Sequence, residues 1–383
     1  MAHHSTIFGQ FLKLIPRHQF DTLAEDHHHG APLRRMTRFS QFVALATGHL
    51  GRRHSLRDIV ANLQAQATRL YHLGARPVTR SSLARVNEEQ PCTLYEALFA
   101  RLYERCQRLA PRHGFRFKNK LYSLDSSLID LSLKVFPWAH YALGKAAMKL
   151  HLGLDHDGGV PAFAIVTESR VSDMAGARCL TLPKRSIAVF DKGYSDYAWL
   201  HALDEADVFF VTRARVNIDA RTIAKRPVPT DGNVRFDRRV ELTGKRPREM
   251  GIKPLRLVGY TCPETRREYV FLTNIEHLAA QTIADIYKAR WQIELFFKWL
   301  KQNLNLTGFV GTSKNAVLTQ IWVALCVSLL IAFLKFNARI GLSMQKIARL
   351  LQLNLFIRRD LLALLKNEPP PMRSSPGQWA LAL

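Results

Sequence analysis

The chain has 383 residues, 47% hydrophobic and 22% charged, with 55 Lys and Arg against 31 Asp and Glu for a formal net charge of +24. That length allows two or three domains with a sizeable core, and the apolar fraction excludes an intrinsically disordered chain. Five scattered cysteines, never spaced C-x-x-C, exclude a disulfide scaffold and fit a reducing cytoplasm. The charge excess points to a polyanionic partner, either nucleic acid or an anionic membrane surface.

Met1 to Arg17 lacks the charged start and apolar run of a secretory signal. Residues 1–118 are expected to form a helical, basic, DNA-binding domain, with 19 basic and 8 acidic residues up to Lys120. Ser55 caps a helix that places Leu56, Ile59, Val60 and Leu63 on one face. After a Gly-Ala-Arg-Pro break, Thr79 to Glu89 forms a second helix carrying Arg80 and Arg85, the candidate DNA contacts here. The pair fits a helix-turn-helix or an ordinary helical bundle with a solvated basic face. The run His27, His28 and His29 has no second ligand cluster and is expected to be a polar loop.

From residue 119 the period shortens. Asn119 to Asp125 alternates as a strand, and Met148 to Glu168 reads as two strands around a His-Asp-Gly-Gly turn. Ser186 to Asp191 is a short buried strand, Tyr197 to Leu203 a helix, and Val208 to Arg213 another strand. Residues 119–213 thus predict a mixed sheet covered by helices. Residues 214–274, turn-rich and basic, predict a β-rich insertion. Helices follow over residues 275–340, and residues 341–383 form a C-terminal helical region with a Pro- and Ser-rich tail expected to be disordered. Ala316 to Leu334 holds 19 consecutive uncharged residues, enough to cross a bilayer. A lone span this late would strand a large charged domain, so a helix buried on every side is expected, with no membrane partner.

Three carboxylates stand out by context. Asp125 is expected to end an alternating strand, and Asp191 ends an apolar strand followed by Lys-Gly-Tyr; strand ends of open α/β sheets gather ligands. Glu294 lies in Ala284 to Leu304, which has no Gly or Pro and predicts one helix. On that helix Tyr287, Arg290, Glu294 and Lys301 share one stripe, crowded by Ile286, Trp291, Ile293 and Phe296. The stripe fits an intrahelical ion pair, Arg290 and Glu294 being four apart, or a polar site. Asp155 and Asp157 suit a turn, Asp196 the cap of the next helix, and Lys149 and His151 a structural role beside the strand.

The spacing Y-x2-R-x3-E-x6-K, read as Tyr287, Arg290, Glu294 and Lys301, resembles the signature of bacterial insertion-sequence transposases of the insertion-sequence-four type. Asp125 to Ala139 is similar to that family's first catalytic Asp region, with Ser127 where Thr is common. Val189 to Tyr197 is similar to its second Asp block, and the helix with the following GTSKNAVLTQIW to its third. The resemblance implies a ribonuclease-H-like catalytic core with a β-rich insertion, preceded by a helical DNA-binding domain. It implies catalytic and metal-holding roles for Asp125, Asp191 and Glu294, with phosphate contacts by Tyr287, Arg290 and Lys301. Carboxylates suit this chemistry because two hard cations stabilise the entering and leaving oxygens of in-line phosphoryl transfer. The expected cofactor is two Mg2+, with Mn2+ as a substitute. The expected partners are double-stranded DNA, both element ends and target, with a homodimer on paired ends in the bacterial cytoplasm and nucleoid. The alternatives are a metal-dependent endonuclease that cannot join ends and a regulator that binds DNA without catalysis.

Overall fold

The structure, a computed structural model, describes residues 5–142, 145–230, 232–306 and 308–369. The tail expected to be disordered lies, from Pro370 on, outside the described residues. The chain opens with α1 (Ile7–Leu12), α2 (Arg17–Asp26), α3 (Arg38–Leu50), α4 (Leu56–Gln64), α5 (Ala67–Leu70), α6 (Arg80–Glu89) and α7 (Thr93–Leu109). The starts are written in hydroxyls: Thr37, Ser55 and Thr79 accept from the amides of Ser40, Asp58 and Ser82, so α3, α4 and α6 begin with satisfied donors. The expected stripe of Leu56, Ile59, Val60 and Leu63 is buried. Between α4 and α6 stand α5 and a 3-10 turn, Tyr71–Leu73, so the pair lacks the short turn of a helix-turn-helix. The run Gln66 to Leu73 holds no Gly or Pro and coils instead of extending.

The strands are β1 (Leu121–Leu131), β2 (His140–Ala142), β3 (Lys145–Asp155), β4 (Val160–Glu168), β5 (Ile187–Phe190), β6 (Phe209–Arg213), β7 (Ala220–Lys225), β8 (Val234–Leu242), β9 (Leu255–Thr261) and β10 (Glu268–Thr273). They form one sheet in the order β2-β3-β1-β5-β6-β10-β9-β8-β7, with β4 also paired to β3. β3 runs antiparallel to β1 and β4, whereas β5 runs parallel to both β1 and β6. The β-rich residues after Arg213 extend this same sheet, because β10 pairs antiparallel with β6 and β9 to β7 follow it.

Remaining helices are α8 (Asp173–Arg178), α9 (Tyr197–Glu205), α10 (Lys245–Glu249), α11 (Ala280–Ala289), α12 (Trp291–Asn303), α13 (Lys314–Asn337), α14 (Met344–Asn354) and α15 (Leu361–Leu365). Alternation sorts the central strands between two layers. Leu121, Ile187, Val189 and Val211 pack with Ile283, Ala284 and Ile286 of α11, while Leu124, Ala188, Phe190 and Phe210 pack with Trp199, Leu200 and Leu203 of α9. The apolar segment from Ala316 lies within α13, whose most apolar window is 89% buried against α3, α6, α7, α14 and β4. The structure bears out the buried-helix expectation.

Candidate active site

Register brings the first two carboxylates together. β1 and β5 run parallel with Leu124 opposite Phe190, and their pairing ends there. The next residue on each strand is Asp125 and Asp191, so the two acids stand side by side where the strands part. Leu124 and Phe190 face α9, so alternation turns both acids to the other face, the one covered by α11. Asp125 is mid-strand and not at a strand end as expected: Ser126 to Leu131 continue to pair with β3. The pairing with β5 stops, and that opens the site.

The helix expected over Ala284 to Leu304 is two helices, joined at Arg290. There the amides of Arg290 and Ile293 donate three residues back, to Tyr287 and Arg290 (3.2 and 3.1 Å), tightening the backbone into a turn. On one side of this break α11 lies over β5, β6 and β9, and on the other α12 packs on β1 and β3. The break sits among the polar residues of the stripe. The Tyr287 hydroxyl donates to Asp191 Oδ1 at 2.9 Å. Arg290 Nη2 donates to Glu294 Oε1 at 2.8 Å, and its Nη1 lies 3.9 Å from Asp125 Oδ2. One guanidinium therefore spans the first and third expected carboxylates.

The two aspartates differ electrically. Burial pushes the Asp125 carboxyl up to about 6, with the Ser126 amide and Arg290 opposing and the charges of Glu294 and Asp173 adding to the rise. Burial also raises Asp191, but the Lys192 amide, the Tyr287 hydroxyl and the charges of Arg290 and Arg213 outweigh it and hold Asp191 below the usual carboxylate range. Two neighbouring carboxyls pushed in opposite directions, Asp125 up and Asp191 down, are a pairing that active sites use.

The neighbourhood adds residues that sequence reasoning missed. Asp173, at the start of α8, accepts from Ser126 Oγ (2.6 Å) and lies 3.1 Å from Lys149 Nζ. It therefore anchors the residue next to Asp125. Arg213 follows Thr212, which stands opposite Phe190, so it continues the row Asp125–Asp191 across β6. The apolar run Val208 to Val211 marks the strand, but only the register sets Arg213 in that row. Among the described residues the buried Tyr194 hydroxyl meets no hydrogen-bond partner.

Two family descriptions match the chain. A domain of unknown function covers residues 3–76, and the transposase DDE domain covers residues 117–330, more than half of the sequence. The chain belongs to the DDE transposases. A relative of Sinorhizobium fredii named as a transposase is 32% identical over 81% of this chain and 86% of its own. A transposase of an insertion sequence element of Geobacillus stearothermophilus is 30% identical over 66% and 67%. A cryo-EM structure of the piggyBac transposase synaptic complex with hairpin DNA covers 96% of this chain and 81% of that one, at 14% identity and a TM-score of 0.44.

In this DDE transposase the fold brings together Asp125, Asp191, Tyr287, Arg290 and Glu294. The Lys301 ammonium donates to the Leu128 carbonyl at 2.7 Å, tying α12 to β1. Arg80 and Arg85 are exposed on α6, which packs on α3, α4 and α13. Lys149 donates to Val171 O, and His151 lies 2.9 Å from Thr167 Oγ1. Asp196 caps α9 as expected, accepting from the Trp199 amide at 3.0 Å.

Proposed function

We propose that this DNA transposase cuts and joins DNA through Asp125, Asp191 and Glu294, within a ribonuclease-H-like core over residues 119–213 and 275–340. The observation that carries the reading is the parallel register placing Asp125 beside Asp191 at the parting of β1 and β5, with Glu294 reached through Arg290. The antiparallel run β4, β3, β1 continued by parallel β5 and β6 supports the core assignment. Residues 1–118 then serve as the end-binding domain, with Arg80 and Arg85 on its exposed face.

Among the described residues no three acidic, histidine or cysteine side chains form a cluster arranged to hold a metal ion. The donor set nevertheless suits a hard divalent cation: it is oxygen-only, and Asp125 is desolvated beside the negative charges of Glu294 and Asp173. The Arg290 cation drawn between Asp125 and Glu294 reports the same field. Asp125, Asp191 and Glu294 would hold Mg2+, or Mn2+ in its place, as a pair of ions that supply charge to the entering and leaving oxygens.

The chain's own groups do the rest. Tyr287 and the Lys192 amide fix the Asp191 carboxylate, and the Ser126 amide, itself steadied through Asp173, fixes Asp125. Arg290 presents a planar fork that can exchange a carboxylate for a phosphate as DNA enters. Hydrolysis at each element end frees a 3′-hydroxyl, which then attacks target DNA. Joining two ends requires two such sites, supplied by a homodimer on paired ends.

A strand-transfer assay tests this reading. Duplexes bearing the inverted repeats that flank the reading frame, pre-cut to expose the 3′-hydroxyl, are expected to be joined to a target plasmid with Mg2+. Nicking of uncut ends without joining would support an endonuclease instead.

A further inference from the structure

The loop between α2 and α3 is built more firmly than a loop of its composition requires. Gln90, at the end of α6, grips it from both sides: its Nε2 donates to His29 O (2.6 Å) and its Oε1 accepts the His29 amide (3.3 Å). Arg38, 4% exposed, donates to that same Oε1 (3.1 Å) and to Pro91 O (2.7 Å). Met36 closes the loop into the core. One arginine is thus consumed in pinning the loop to α6. The two before it are not: Arg34 and Arg35 are exposed, and among the described residues neither forms an ion pair.

Loop and helix together enclose an open cleft of about 750 Å3 lined by His29, Arg34, Arg35, Ser82, Arg85 and Glu89 among others. Ser82, whose Oγ lies 2.9 Å from Thr79 Oγ1, adds a hydroxyl to the cleft lining. Glu89, one turn beyond Arg85, pairs with it at 4.0 Å, so Arg34 and Arg35 are the lining arginines that meet no carboxylate among the described residues. Holding unpaired arginines together costs self-repulsion, which a bound row of anions relieves.

We propose that this cleft binds the sugar-phosphate backbone of duplex DNA, with Arg34 and Arg35 joining Arg85 as its cations. The inference rests on residues 1–118 being the end-binding domain and adds a site to it. Guanidinium forks on a pinned loop match phosphate oxygens, and contacts of this kind set position without reading sequence. Such contacts release counterions, about 0.9 per phosphate on a duplex, so each one lost flattens the salt dependence of binding.

The test uses the full chain and a fluorescein-labelled, mixed-sequence duplex of about 30 base pairs, with anisotropy read across a salt series. The double variant Arg34→Gln/Arg35→Gln is expected to lower the slope of log affinity against log salt by about 1.8. Its melting temperature should stay that of the parent. Arg108→Gln/Arg112→Gln, an equal loss of charge at exposed positions away from the cleft, is expected to leave the slope within experimental error. Equal slope changes in the two double variants would reduce the effect to bulk charge and overturn the site. Parent and variant sharing one slope would overturn it as well. A parent chain that fails to bind the duplex at all would instead remove the end-binding reading, and the cleft with it. Equal weakening on the single strand and on the duplex would contradict the duplex assignment.

Discussion

Strand β1 has an acidic cluster near each half, and the two are built on opposite principles. At its start, Lys120 Nζ lies 2.9 Å from Asp155 and 2.7 Å from Asp157. Tyr103 adds a hydrogen bond to Asp155 (2.8 Å), and the amides of Asp157 and His113 donate to Asp155 and Asp157. Burial raises Asp157, but the Lys120 ammonium and the His113 amide outweigh it, so the carboxyl sits below its ordinary range. Four residues on from Tyr122, Ser126 marks the other cluster. There Asp125 has one short bond from a neighbouring amide, an arginine at 3.9 Å, and a carboxyl raised to about 6. Asp155 and Asp157 are saturated with donors and tie β1 to its neighbours, whereas Asp125 is left short of them. Two clusters on one strand thus differ in how many donors their most buried acid receives.

Removing a saturated acid should cost most. Asp155 is fully buried, and Asp155→Ala leaves Lys120 and Tyr103 facing a void, so a loss of about 3–5 kcal/mol is expected in denaturant unfolding. A loss below about 1 kcal/mol would break the comparison at its stronger side.

His49 tests a case where burial defeats partners. Its ring nitrogens lie 2.5 and 3.0 Å from the carbonyls of Leu304 and Gln320, tying α3 to the end of α12 and to α13. Burial nevertheless lowers its pKa to about 4, the carbonyls offsetting only part of the effect. The unfolded chain therefore takes up a proton that the folded chain refuses between pH 6.5 and 4. Stability contributed by neutral His49 is complete above pH 6.5 and falls by roughly 3 kcal/mol as pH drops to 4. His49→Gln should flatten that part of the profile, whatever its effect at neutral pH. An unchanged slope would show that His49 is already protonated when folded.

Asp125→Asn should have the opposite sign to Asp155→Ala. Because the folded pKa is raised, the unfolded chain releases its proton first and stability declines as pH climbs from about 4 to 6, staying low above. The amide removes that burden, so without divalent cations at pH 8 it should gain roughly 1–3 kcal/mol. A destabilised amide would place Asp125 among the structural acids. Smallest in stability, Arg290→Lys should shift unfolding by less than about 1 kcal/mol yet cut end cleavage at least about tenfold, since lysine lacks the fork. Equal losses of fold and activity would make Arg290 a brace.

Much of this was legible in the residues. Hydroxyl caps and the buried stripe of α4 follow from local chemistry, and the short apolar strands β5 and β6 follow from composition alone. Asp125, Asp191 and Glu294 stood out because each interrupts an apolar context. Less visible was anything set by register: that β1 outruns its pairing with β5, that Arg213 joins the aspartate row, and that Asp173 reaches Ser126 from beyond β4. The break at Arg290 was hidden as well. No Gly or Pro marks it, and the side-chain bonds that accompany it come from partners about 96 and 165 positions away in the chain.

Plasmid nicking tests the three-carboxylate site most directly. A supercoiled plasmid carrying the element and its flanking repeats is incubated with Mg2+ and each of Asp125→Asn, Asp191→Asn, Glu294→Gln and Asp155→Asn, with folded protein quantified by unfolding curves. The first three are expected to lose cleavage by about a thousandfold or more while remaining folded, consistent with loss of electrostatic catalysis. Asp155→Asn should lose only what its unfolded fraction explains. Near-parental nicking by any one of the first three variants would contradict the assignment of the site.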